Sequence, residues 1–121
     1  MIDYAGVATS YIAMWNATDE QDRAKLVGEL CTDETRYVDP LVVAEGSDAI
    51  SATIGAAQQQ FPGWTFRLVG PVDGHHNQAR FNWEFGPQGV DAPVDGFDVA
   101  VVSDDGKLVA VYGFLDKVPA A

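Results

Sequence analysis

Basic residues are scarce in this chain: Lys and Arg number 7 against 18 Asp and Glu, a formal net charge of −11 at pH 7. Such a surface repels a phosphate backbone and anionic lipid headgroups, so neither nucleic acid nor a membrane is an expected partner. Cysteine is nearly absent. Cys31 alone excludes an internal disulfide and a cysteine-built metal site, and it fits a reducing compartment. No run approaches the roughly 20 apolar residues that span a bilayer, and Met1-Ile2-Asp3-Tyr4-Ala5-Gly6 has no basic segment leading into an apolar one. The expectation is a soluble, cytoplasmic protein. A phosphate-cradling loop is missing too, because Gly86-Pro87-Gln88-Gly89 lacks the following lysine and helix start, and no serine sits in a nucleophile elbow. With 121 residues, 47% of them hydrophobic, there is enough chain for one domain spanning residues 1–121 and too little for two.

Within that length the hydrophobic period changes once. Tyr4, Val7, Ala8, Tyr11, Met14 and Trp15 recur at helical spacing, with Asp3 placed to cap the start. Thr18 and Gln21 have capping-box form ahead of Ala24, Val27, Leu30 and Cys31, which predicts a second helix from about Asp19 to Cys31. Thr35 to Asp39 is a short β-prone segment stopped by Pro40. Gly46-Ser47 opens a third helix through Ile50, Ile54, Ala57 and Phe61, ended by Pro62-Gly63. After Trp64 the pattern alternates. Trp64, Phe66 and Leu68, then Ala79, Phe81, Trp83 and Phe85, read as strands joined by a tight turn at Asp73-Gly74. Gly86 to Pro93 reads as a loop, and Phe97–Val102 and Leu108–Leu115 as a last pair of strands around Ser103-Asp104-Asp105-Gly106. Helices first and hairpin-linked strands afterwards imply an α+β fold with a largely antiparallel sheet.

Most acidic residues have an ordinary explanation as helix first-turn or turn residues, as at Asp19, Glu20, Asp22, Asp73, Asp104 and Asp105. Asp39 and Asp98 are different. Asp39 stands between Tyr37-Val38 and Pro40-Leu41-Val42-Val43, and Asp98 stands in Phe97-Asp98-Val99-Ala100-Val101-Val102. A carboxylate among apolar residues must reach water, find a partner or take a proton, and the last two are what acid-base chemistry uses. For Asp39 a strand-end turn is the competing explanation, and for Asp98 an ion pair with Arg36 or Arg80. Tyr11 alone reads as helix core. His75-His76 are adjacent strand residues pointing to opposite faces, so they are expected to be solvent-exposed and to bind no metal. Arg80, Asn82 and Glu84 form a polar row opposite Phe81, Trp83 and Phe85, the mark of a solvated or dimer-facing surface. No cofactor is expected.

Four segments in this order carry a resemblance: Ser10-Tyr11-Ile12-Ala13-Met14-Trp15-Asn16, Tyr37-Val38-Asp39-Pro40, Glu45-Gly46-Ser47-Asp48-Ala49-Ile50, and Phe97-Asp98-Val99-Ala100-Val101-Val102-Ser103-Asp104-Asp105-Gly106-Lys107. Together they resemble the SnoaL-like polyketide cyclases and ketosteroid isomerases of the nuclear transport factor two-like superfamily. That resemblance implies a cone, in which a strongly curved, mostly antiparallel sheet wraps three N-terminal helices around an apolar pocket. It also implies roles. Tyr11 resembles the isomerase's helical donor to the substrate oxyanion, Asp39 its general base, and Asp98 its second donor, an aspartate kept protonated by apolar surroundings. In the cyclases a strand aspartate is both acid and base, so Asp98 could be the base with Asp39 as helper. Asp95, near Asp98, competes with it, and the register to Gly106-Lys107 favours Asp98. The Asp-Arg-Asp set of limonene epoxide hydrolases is not matched, since Asn82 follows Arg80 at the critical spacing.

The resulting expectation is a domain that binds a small apolar, carbonyl-bearing molecule and transfers a proton on it, by isomerisation or aldol-type cyclisation, with the walls drawn from Trp15, Phe61, Phe66, Phe81, Trp83 and Phe97. The competing expectation is a non-catalytic ligand-binding or protein-association domain of the same fold. The acidic surface and the open sheet face of the resembled family suggest a homodimer.

Overall fold

The computed structural model describes residues 2–119. Helix α1 (Tyr4–Asn16) begins where the Asp3 carboxylate accepts from the Gly6 amide, 3.0 Å away, as its position before the periodic run predicts. Helix α2 (Glu20–Leu30) departs from the expected capping box. Its cap is Asp19, which accepts from the Asp22 amide at 3.0 Å, and a carboxylate there also meets the positive end of the helix, an advantage that a threonine hydroxyl at Thr18 does not have. Strand β1 (Arg36–Val38) and strand β2 (Val43–Glu45) pair across the Asp39–Val42 turn. Strand β2 was not expected, being too short to display an alternation. Helix α3 (Ser47–Gln60) follows Gly46, whose φ of +91° is open to glycine, and whose missing side chain leaves room for the Asp33 carbonyl.

Four longer strands complete the sheet: β3 (Thr65–His75), β4 (Gln78–Gly86), β5 (Val94–Val102) and β6 (Leu108–Lys117). The order is β2-β1-β6-β5-β4-β3, antiparallel throughout except where β1 runs parallel to β6. The β3–β4 turn lies at His76-Asn77, beyond the expected Asp73-Gly74. Asp73 pairs with Arg80 and Gly74 with Ala79 inside the ladder. Gly74 is there for space: a Cβ would lie 2.3 Å from the Tyr4 ring, and the Tyr4 hydroxyl donates to the His76 carbonyl at 2.8 Å. His76 takes the positive φ, 51°, and both histidines are exposed. At the last hairpin, Gly106 has φ +83° and the Ser103 amide donates to the Lys107 carbonyl, in agreement with its Asp-Gly signal.

Burial alternates without a break along β5: Val94, Gly96, Asp98, Ala100 and Val102 point inward, and Asp95, Phe97, Val99 and Val101 outward. Asp95 and Asp98 are therefore on opposite faces, and Asp98 is inside. Helix α1 lies against β3 and α2, α2 against α3, and α3 against β2, so the helices close one side of the curved sheet. Asn16 anchors the end of α1: its amide donates to the Phe66 carbonyl at 2.9 Å and its oxygen accepts from the Phe66 amide at 2.8 Å. This is an α+β cone of three helices and a six-stranded, mostly antiparallel sheet. Among the described residues no helix is long and apolar enough to cross a membrane.

Candidate functional site

Between α1, α3 and the inner face of the sheet lies a cavity of about 300 Å³. Tyr11, Asp39 and Asp98 all line it, so three residues from well-separated parts of the sequence converge on one space. Among the described residues, no Lys, Arg or His lines it. The register explains how two carboxylates share its floor. Asp98 pairs with Gly113 of β6, and a Cβ at Gly113 would lie 2.7 Å from Asp98 Oδ1 and 3.4 Å from Asp39 Cβ. A glycine is the one residue that leaves both acids in place.

Asp98 is 3% exposed and among the described residues no salt bridge reaches it; Arg80, a candidate partner, instead faces Asp73 at 3.7 Å on the outer surface. Burial raises the Asp98 pKa from 3.8 to about 6, against the lowering influence of the Tyr11 hydroxyl and the Trp83 indole, with the Asp39 charge adding a smaller rise. Neither of those two donors closes a hydrogen bond of normal geometry. The carboxyl group is thus poised to change its protonation near neutral pH while retaining its acceptor capacity. Burial, and then the nearby Asp98 charge, push the Tyr11 hydroxyl well above the ordinary phenol range, so Tyr11 is a donor at any working pH.

Asp39 is held differently. Its Oδ1 accepts from the Leu41 and Val42 amides, each at 2.8 Å, and the Tyr37 hydroxyl donates to Oδ2 at 2.5 Å. The Asp39 amide closes the turn by donating to the Val42 carbonyl at 3.0 Å. The turn explanation and the pocket explanation are both correct for this residue: one oxygen ties the β1–β2 turn and the other faces a phenol in the cavity. Tyr37 was not singled out from the sequence. Its signal was available, since residues two apart on an extended segment share a face and Pro40 keeps Asp39 extended. Burial first, then the Asp98 and Asp39 charges, hold the Tyr37 hydroxyl in its protonated form.

The SnoaL-like domain model matches residues 8–111, which includes every one of these side chains except Gly113. The chain belongs to the SnoaL-like family. Among solved structures, a candidate isomerase of the SnoaL-like family from Agrobacterium tumefaciens is 42% identical with a TM-score of 0.89, covering 93% of this chain and 97% of its own. A nuclear transport factor two-like protein of unknown function from Exiguobacterium is 22% identical with a TM-score of 0.73, covering 91% and 98%. A candidate polyketide cyclase from Sinorhizobium meliloti is 13% identical with a TM-score of 0.71, covering 89% and 93%. These last two share the fold. No curated protein matches the chain.

Of the aromatic walls expected for this SnoaL-like pocket, Trp15, Phe61, Phe66 and Trp83 line the cavity. Phe81 and Phe97 do not. Phe81 is fully buried beneath it, edge-on to Tyr11 at 5.4 Å, and Phe97 has the opposite strand parity to Asp98 and stacks on Phe114 at 4.9 Å. Phe85, which was not singled out, takes a wall position stacked on Phe66 at 4.1 Å. The outer face carries Tyr112 and Phe114, 42% and 51% exposed, beside Val99 and Phe97 in the ladder. Among the described residues no three His, Cys, Asp or Glu side chains gather to hold a metal ion.

Proposed function

We propose that the cavity binds a neutral, apolar molecule through a carbonyl oxygen and transfers a proton at the adjacent carbon, with Asp98 as the acid-base group. The observation carrying this is the Asp98 carboxyl: buried in an apolar cavity, unpaired, with a pKa of about 6 and a protonated phenol beside it. A general base works best when its pKa lies near the operating pH. Ionised Asp98 removes the proton next to the carbonyl, the electron pair moves onto oxygen, and the Tyr11 hydroxyl donates to the developing charge. Returning the proton to a different carbon completes an isomerisation. Attack of the enolate on a second carbonyl forms a carbon–carbon bond, and Asp98 then protonates the new alkoxide, completing an aldol cyclisation. The isomerase name of the Agrobacterium relative at 42% identity supports the reading. Asp39 is the other candidate base, but its oxygens are engaged by three donors. Its place in the reaction is to keep Tyr37 fixed and to supply negative charge beside Asp98. Two carboxylates without a cationic side chain disfavour an anionic substrate.

The test is exchange of α-protons for deuterium in a panel of cyclic enones and diketones, followed by proton NMR. Asp98→Asn is expected to lower the catalysed exchange by about 10²-fold or more, and Asp39→Asn by less. The rate should rise with pH through about 6 and level off above it. Exchange indifferent to Asp98→Asn would remove the assignment, and a panel member that binds without exchange would favour a non-catalytic binding domain. The exposed apolar outer face supports a further part of the reading, a homodimer joined sheet to sheet through Phe97, Val99, Tyr112 and Phe114.

A further inference from the structure

The cavity wall is graded from an enclosed floor to an apolar mouth. Asp98 is 3% exposed, whereas two other lining residues, Leu41 and Val118, are 80% and 58% exposed. An exposed side chain on a cavity wall stands at the opening, so Leu41, Val118 and the exposed Pro119 form the rim. One exposed leucine on a protein surface needs no explanation. Here three exposed apolar residues are grouped at one opening in a chain of net charge −11, and the charged lining residues, the half-buried Asp39 and the buried Asp98, lie farther in. Both sides of the rim are held. Asp39 Oδ1 accepts from the Leu41 and Val42 amides at 2.8 Å, and the Asp39 amide donates to the Val42 carbonyl at 3.0 Å, so the turn presents Leu41 on a fixed backbone. Opposite it, Lys117 pairs with Asp95 at the end of β6 and its Nζ donates to the Ala92 carbonyl at 2.8 Å, which fixes the residue before Val118. The space within is about 300 Å³, at the lower end of the range for ligand sites. A ligand larger than that must cross the rim.

We infer that Leu41 and Val118 form a subsite for a hydrocarbon tail, so that the ligand is a ketone whose carbonyl end lies within the cavity and whose alkyl substituent leaves across the rim. The argument is one of continuity. The rim carries on the apolar wall without a charged side chain between them, and a tail lying on it removes from water the two most exposed apolar side chains of the lining. The assignment rests on the cavity being the ligand site proposed above and adds to it the class of ligand. It also gives Leu41 a part in selecting tail length, apart from the chemistry at Asp98.

The probes are 4-alkylcyclohexanones carrying methyl, propyl and hexyl chains, and the readout is the methyl spectrum of ¹³C-labelled protein. Ile12, a buried lining residue, reports that the cavity is filled. The expected result is that the Ile12 methyls shift with every member and the Leu41 and Val118 methyls with the hexyl ketone alone. Affinity should go on rising from propyl to hexyl, by up to about fourfold for each methylene. Leu41→Ser and Val118→Ser should each weaken the hexyl ketone by roughly fourfold or more, the worth of one buried methylene, and change the methyl ketone by less than about twofold. Equal affinities for propyl and hexyl, or Leu41 and Val118 methyls unmoved with the hexyl ketone bound, overturn the inference. Shifts of those methyls on dilution of the free protein would give the rim to a second copy of the chain and overturn it too. No binding of any member removes both the tail subsite and the cavity ligand. The shifts are read on the unaltered protein, so they do not depend on how a variant folds. They involve no turnover: a responding rim with exchange indifferent to Asp98→Asn retains the subsite and rejects the proton transfer, and catalysed exchange with an unmoved rim does the reverse.

Discussion

Replacing Asp98 with Asn should make the protein more stable at neutral pH, by an amount that depends on pH in a specific way. Below the carboxyl's ordinary pKa of 3.8 the group is neutral in both folded and unfolded chains, so its ionisation costs the fold nothing. As pH rises past that value the unfolded chain ionises first, and above about 6 the folded chain carries the whole difference as a loss of stability. A rise from 3.8 to about 6 is a little over two pH units, or about 3 kcal/mol at 1.36 kcal/mol each. Near pH 4.5 only about 1 kcal/mol of this has been lost, and near pH 7.5 nearly all of it. Asn keeps the shape of the side chain and removes the ionisation. The difference in unfolding free energy between Asp98→Asn and the natural chain should therefore shift in favour of the variant by about 2 kcal/mol between those two pH values. Whatever the amide gains or loses in the site is common to both pH values and cancels. Urea unfolding followed by circular dichroism and tryptophan fluorescence measures it directly. A difference that stays constant between about pH 4.5 and 7.5 would refute a buried, unpaired Asp98, and with it the acid-base assignment.

Gly113→Ala brings a Cβ to 2.7 Å from Asp98 Oδ1, so it should drive that carboxyl off its floor position. The expected readings are at least about a tenfold loss of α-proton exchange and a ¹³C-detected Asp98 titration displaced from about 6; an unchanged titration sinks the positioning argument. Tyr37→Phe removes the 2.5 Å donor to Asp39 and should cost about 1.5–3 kcal/mol in urea unfolding, the range for a hydrogen bond to a charged group. No loss would mean that solvent replaces the phenol without penalty. On the outer face, Phe97→Lys should convert a dimer to a monomer in sedimentation velocity, and a natural chain that is already monomeric at micromolar concentration would reject the proposed homodimer.

Much of the fold was legible because each element announces itself locally. Asp3 before Tyr4, Gly46 before Ser47 and Asp-Gly before Lys107 are capping and turn chemistry that acts within a few residues. The errors came where a local signal served a distant contact. Asp73-Gly74 has the composition of a turn, yet Gly74 is small because Tyr4, on the first helix, occupies the place of a side chain. Strand β2 could not be seen at all, since 3 residues held by pairing to β1 carry no period of their own.

The site divides along the same line. Asp39, Asp98 and Tyr11 could be named from local oddity and family resemblance, and parity along β5 then separates Asp98 from Asp95 and from Phe97. Roles could not be read in the same way, because they depend on hydrogen bonds that form only when the elements meet. Tyr37 and two backbone amides engage the oxygens of Asp39, while among the described residues no donor closes on Asp98 at normal hydrogen-bond geometry. Two aspartates that look equivalent in the sequence thereby become one that holds a turn and one that, in the proposed reaction, exchanges a proton. Gly113 makes that division possible. It has no chemistry of its own and lies outside the matched segment, and its importance is visible only as the space that a methyl group would take from Asp98.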